Sequence, residues 1–223
     1  MARQARIIVQ NHPHHISQRG NRGESIFFEK DDFSTYMEIL QKSLKDFDLD
    51  LLSFCLLPNQ IHLLITPKEK DDLSRCIGET NRQYTRYINQ KKDWTGHLFQ
   101  NRFFSYAMDD QFVLRAARFI ETLPVTAQIT EKPQNYLWSS AKFRIKTIEN
   151  SPIKPFNMFH LDQNWESFLN RLMDPEELKK IQTHLQTGRP RGNSLFLDMV
   201  EKEIGRTVRP QKRGRKPKKK AAA

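Results

Sequence analysis

A chain of 223 residues has room for one domain of ordinary size and an appendage, and its 37% hydrophobic content with 15 Phe excludes a wholly disordered polymer. The apolar run 49–57, broken by Asp50 and Ser53, falls far short of the roughly 18 residues of a membrane span, and with a polar N-terminus neither a transmembrane helix nor a signal peptide is expected. The formal charge of +11 is lopsided, with 12 basic and 3 acidic residues from position 188 onward against 25 and 23 before it.

A polycation of that density releases counterions from a phosphate backbone, so the expected partner is nucleic acid. Cys55 and Cys76 sit in apolar contexts without metal-ligand spacing. This predicts a reduced, cytoplasmic protein rather than a disulfide scaffold.

Residues 6–18 predict an extended segment interrupted at Pro13, followed by a glycine-punctuated basic loop, Arg19-Gly20-Asn21-Arg22-Gly23. Phe33, Tyr36, Met37, Leu40, Leu44 and Phe47 recur at three and four, which predicts a helix over 31–47 capped by Asp31 or Asp32. Strands over 49–57 and 61–66, joined at Pro58-Asn59, make a hairpin. A helix over 71–90 follows, weakened by Gly78, then a strand over 98–108 and a helix over 111–122 ended by Pro124. The order β-α-β-β-α-β-α predicts an α+β domain with an antiparallel sheet close to the ferredoxin-like arrangement. Residues 1–147 are expected to close this core alone. Residues 148–187 are expected to be a linker with short helices over 163–172 and 175–186, and 188–223 a basic tail holding one helix over 194–204.

Arg19-Gly20-Asn21, the hairpin LLPNQIHLLITP, GHLFQNRFFS (96–105), FIETLPVTA (119–127), YLWSS (136–140) and the tail blocks TGRP and RGRKP occur in one order. Together they resemble the REP-associated tyrosine transposases, bacterial HUH-type single-strand DNA endonucleases. The resemblance implies an HUH-like fold and three chemical parts. The first is a pair of histidines flanking one hydrophobic residue on a strand, where the two-residue period aims both imidazoles at one metal ion. Here the triplet is Gln60-Ile61-His62, which leaves His62 and the amide oxygen of Gln60 as a weak site for Mg2+ or Mn2+. The second is a tyrosine nucleophile, whose position is occupied by Phe119, a side chain with no oxygen. The third is a polar metal ligand one turn later, where this chain has Leu123. Phe112, Ala116, Phe119 and Leu123 form one stripe at helical spacing, as a packing face does. Tyr106 is the fallback nucleophile, with Tyr84 and Tyr87 on the second helix.

The binding elements are kept. Arg19, Asn21 and Arg22 suit phosphate or base-edge contacts, and Gln100 and Arg102 stand beside Phe103 and Phe104, where aromatic rings either stack unpaired bases or fill a core. Arg189 and Arg191 open the tail, and Arg213, Arg215 and Lys216 resemble an AT-hook. The expected function is DNA binding without strand cleavage, on hairpin or single-stranded DNA, by a nucleoid-associated monomer or homodimer that needs no cofactor to bind. The alternatives are an active Mg2+-dependent single-strand endonuclease with a non-standard tyrosine, and an RNA-binding protein.

Overall fold

The fold is a computed structural model describing residues 5–145, 151–156, 164–171 and 173–210. Alternating side chains along β1 (His14–Arg19), β2 (Asp50–Leu57), β3 (Gln60–Thr66) and β4 (Phe104–Ala107) give a sheet with two different faces. The strands pair antiparallel in the order β2-β3-β1-β4, the ferredoxin-like order expected from the sequence. Ile16, Phe54, Leu56, Ile61, Leu63 and Ile65 point to one face, where α1 (Lys30–Asp46) and α2 (Asp72–Lys92) cover them. Cys55, Leu57, Leu64 and Tyr106 point to the other, beneath α3 (Asp110–Thr126).

The cap of α1 is Glu29 rather than Asp31 or Asp32. Asp32 instead closes a capping box by accepting from the Glu29 N–H at 2.9 Å, and it holds Lys91 of α2 at 2.7 Å. The strand expected over 98–108 is shorter. Residues 98–103 bend around the end of β1, where Gly20 bridges Phe99 and Asn101 takes φ 56°, so only 104–107 joins the ladder. α3 runs through Pro124 to Thr126. The proline forfeits a single intrahelical bond near the helix end, and Ala127 N–H still donates to the Leu123 carbonyl at 2.8 Å.

Beyond α4 (Ala141–Ile145), packing does not stop at residue 147. α5 (Trp165–Asn170) and α6 (Pro175–Thr187) bury Trp165, Leu169 and Ile181 against the α3 side of the sheet. α7 (Ser194–Ile204) buries Phe196 and Val200, which join Val208 in a cluster with Ile7, Val9 and Ala107. The first part of the basic tail is thus folded onto the domain, with Arg191 bridging Met108 in parallel beside β4. Cys55 and Cys76 are both buried free thiols. Among the described residues no helix is long and apolar enough to cross a membrane.

Candidate nucleic-acid interface

Residues opposite one another in antiparallel strands share a face. Ser17 pairs with His62 and His15 with Tyr106, so β1, β3 and β4 place His15, His62 and Tyr106 together beneath α3. His15 Nε2 lies 3.0 Å from His62 Nδ1, His15 Nδ1 3.4 Å from the Tyr106 hydroxyl, and His62 Nε2 3.5 Å from Gln60 Oε1. With the Gln60 oxygen facing His62, one set of neutral tautomers satisfies all three contacts. Tyr106 donates to His15, His15 to His62, and His62 to Gln60. Phe119 closes the cluster from α3, its ring 5.6 Å from His15 and 5.9 Å from His62, both edge-on.

All four rings are buried, with exposures of 0% at His15, 4% at His62, 1% at Tyr106 and 7% at Phe119. Burial depresses His62 to about 3, helped by the Arg19 guanidinium, and holds His15 well below 6.5. Burial also raises Tyr106, so its hydroxyl resists ionisation. On the neighbouring side of β1, His14 accepts from the Val9 N–H at 3.1 Å and is depressed to about 4, chiefly by burial.

An expected acid sensitivity follows. Unfolded imidazoles take up protons near pH 6.5, whereas folded His14 and His62 resist down to about 4 and 3. The unfolded state binds more protons across that window, so stability is full above pH 6.5 and is lost as pH falls toward 3. Each depressed unit is worth about 1.4 kcal/mol. Urea midpoints should therefore already drop between about pH 6.5 and 5, above the range where carboxylates titrate. A flat midpoint there would contradict neutral burial of these rings.

A divalent cation fits these residues poorly. His62 turns Nε2 toward an amide oxygen and Nδ1 toward His15, and Leu123 contributes only carbon to the α3 packing. Among the described residues no group of three or more His, Cys, Asp or Glu is placed to hold a metal. None of the five tyrosines presents a free hydroxyl. Tyr84 donates to the Ile26 carbonyl, Tyr136 to that of Leu56, Tyr87 to Asp32 and Tyr36 to Asn81, while Tyr106 faces His15.

The basic residues gather outside this cluster. Gly20 N–H donates to the Asn59 carbonyl and Asn21 N–H to that of Leu98, which ties the Arg19–Arg22 loop to the hairpin turn and the 98–103 bend. Gly20 is required there, because a Cβ would sit 2.0 Å from the Glu24 carbonyl oxygen. Arg19 and Arg22 are exposed, and Gln100 N–H donates to the Arg19 carbonyl. Phe103 is core at 7% exposure, beneath the Arg6 guanidinium 3.7 Å away, whereas Phe104 is 43% exposed.

Arg102 and Arg189 line one groove of about 570 Å3 with Arg6, Arg206 and Arg209, between the β4 edge and the α6–α7 junction. Arg191, expected among the DNA contacts, is buried at 6%, with Glu177 at 2.7 Å and its guanidinium over Phe112. Arg213, Arg215 and Lys216 lie outside the described residues.

Two features were missed in sequence reading. His15 carries no local signal, since only strand register brings it to His62. Glu121, inside the FIETLPVTA block, is fully buried and bonded to Ser53, Ser140, Arg144 and Trp165.

Residues 8–122 match the family of IS200-like transposases. Among solved structures, a REP-associated tyrosine transposase bound to a REP hairpin aligns with a TM-score of 0.58 at 14% identity, covering 78% of this chain and all of that one. A Deinococcus radiodurans R1 protein described as a transposase aligns at a TM-score of 0.38 and 17% identity, over 54% of this chain and 97% of its own. No curated protein matches the chain.

Proposed function

The chain belongs to the IS200-like transposase family, and we propose that it binds hairpin or single-stranded DNA without cleaving it. The observation that carries this reading is Phe119. It stands where the resemblance calls for a nucleophile, its ring against both imidazoles, with no oxygen to attack phosphorus. Tyr106 is the tyrosine whose hydroxyl touches the cluster, and burial pushes its ionisation away from what a nucleophile needs.

DNA is held by charge and hydrogen bonds from Arg19, Asn21, Arg22 and Gln100 at one sheet end, from Arg102 and Arg189 along the β4 side, and from Arg213, Arg215 and Lys216 in the tail. Arg191 serves instead to fasten the tail to Glu177. Binding needs no cofactor, and Mg2+ or Mn2+ binds at Gln60 and His62 no tighter than about millimolar. The setting is cytoplasmic, on the nucleoid.

Labelled hairpin DNA with Mg2+ or Mn2+ should give a complex but no covalent protein–DNA adduct. Phe119→Tyr alone should stay at background, because Leu123 and Gln60 remain. Phe119→Tyr with Gln60→His and Leu123→Asn is the smallest set expected to yield an adduct. An adduct with the unaltered chain, abolished by Tyr106→Phe, would favour an active endonuclease instead, and preference for the matched RNA hairpin would favour an RNA-binding protein.

A further inference from the structure

Between α3, α5 and α6 lies a cavity that takes no part in the surfaces described above. Gln111, Leu114, Arg115 and Arg118 recur at three and four, so they share one face of α3 over a rise of roughly 10 Å. That face opens onto about 460 Å3, bounded opposite by Phe168 of α5 and by Glu177 and Lys180 of α6. Small-molecule sites run to roughly 300–1,000 Å3, so the size suits a ligand. None of the residues assigned to DNA lines this cavity.

The walls strand one donor and one acceptor. Arg118 Nη2 donates to the Arg171 carbonyl, yet the buried Arg118 Nε–H has no partner among the described residues. Glu177 turns Oε2 to Arg191 at 2.7 Å and to Arg115 at 3.6 Å, which leaves its buried Oε1 unpaired. Buried polar atoms are nearly always paired, so two orphans of opposite kind in the walls of one cavity match a ligand that brings an acceptor and a donor.

The charges settle which end takes the acceptor. Arg115 shares Glu177, and Lys180 stands 3.8 Å from Glu176, whereas Arg118 forms no ion pair among the described residues. Burial, and then the charge of Arg171, hold Arg118 below the ordinary arginine range, and an anion beside it would compensate both. Asp174 also lines the cavity, but its carboxylate is committed to capping α6, accepting from the Glu176 N–H at 3.1 Å. The rest of the wall is apolar. Leu114, Phe168 and Met173 are half-buried against the core beneath α3, and the Phe168 ring lies 4.6 Å from the Arg118 guanidinium. Seven residues along α3 from Arg118, the Gln111 amide offers both a donor and an acceptor. An anion site, a hydroxyl acceptor, a flat apolar wall and an amide together complement a nucleotide.

We propose that this cavity binds a nucleoside monophosphate, with the phosphate on Arg118, a sugar hydroxyl donating to Glu177 Oε1 and the base against Leu114, Phe168 and Met173. The ligand is small and the surface separate, so the site is independent of the DNA-binding reading above.

Calorimetry with adenosine 5′-monophosphate as the probe should find one site with a dissociation constant of about tens of micromolar, and the thermal midpoint should rise with nucleotide concentration. Inorganic phosphate and adenosine should each bind at least about tenfold more weakly, since each makes only part of the contacts. Arg118→Met should weaken the nucleotide at least about tenfold, and Arg118→Lys by less, because the charge stays but the planar fork is lost. Leu114→Trp should fill the cavity and abolish binding. Hairpin DNA affinity should stay within about twofold in all three variants, because no phosphate contact assigned to DNA is touched.

The site is overturned if millimolar nucleotide gives neither heat nor a midpoint shift, or if phosphate alone binds as tightly. It is equally overturned if Arg118→Met and Leu114→Trp bind the nucleotide unchanged, or if hairpin DNA displaces it, which would make the cavity part of the DNA surface.

Discussion

Replacing Glu121 with alanine is expected to cost about 3–5 kcal/mol of folding free energy, the largest single-residue effect anticipated here. The carboxylate is fully buried on α3 and accepts from Ser140 Oγ at 2.5 Å, Trp165 Nε1 at 2.6 Å, Arg144 Nε at 2.9 Å and Ser53 Oγ at 3.0 Å. Arg144 is itself 4% exposed and also reaches the Leu52 carbonyl. Removing the carboxylate strands a guanidinium in the core and leaves three neutral donors without their acceptor. Glu121→Gln keeps the shape but not the charge and should fall between. Glu121→Leu combined with Arg144→Met should recover much of the loss, because it removes both charges together. Urea denaturation of the three variants beside the unaltered chain checks this; an alanine variant with an unshifted midpoint would show that water reaches the site.

Two truncations are expected to separate what the tail does for binding from what it does for folding. Residues 211–223 contain seven basic and no acidic residues. Their removal should flatten the dependence of DNA affinity on salt by up to about 6 in logarithmic slope, and weaken binding at least tenfold at about 50 mM salt. The midpoint of unfolding should not move, since the packing of α7 and Val208 is untouched. Truncation after residue 187 is different. It removes Phe196, Val200 and Val208 from Ile7, Val9 and Ala107, and it strips Arg191 from beside β4. Buried side chains contribute roughly 1.5–3 kcal/mol each, so the shorter chain should lose several kcal/mol and expose β4 as an open sheet edge. Equal midpoints for the two truncations would mean that residues 1–187 close a core without α7 and Val208. An unchanged salt slope after the shorter deletion would remove the tail from the interface.

The strand and helix order was legible because each element carries its own period. α1 and α2 repeat apolar residues at three and four, and the β2–β3 hairpin announces itself at Pro58-Asn59. That position 119 carries no hydroxyl was legible because the residue's identity is read directly from the chain, with no geometry required. Boundaries failed where a tertiary contact outweighed local preference. The 98–103 stretch looks like strand but bends because Gln18 binds the carbonyls of Gln100 and Asn101, and α3 continues past Pro124 because buried packing tolerates one lost bond.

Periodicity and residue identity act within a few positions of the chain, and they were enough to establish the α+β order, the basic end and the absence of a hydroxyl at position 119. Everything that joins distant positions depended on register and packing. His15 meets His62 across 47 residues because β1 and β3 pair as they do, Glu121 meets Arg144 and Trp165 because α4 and α5 fold back on α3, and Arg191 is taken from solvent by Glu177. Burial then sets the chemistry: the same imidazoles and phenol that would titrate ordinarily in water are held neutral once the core closes over them.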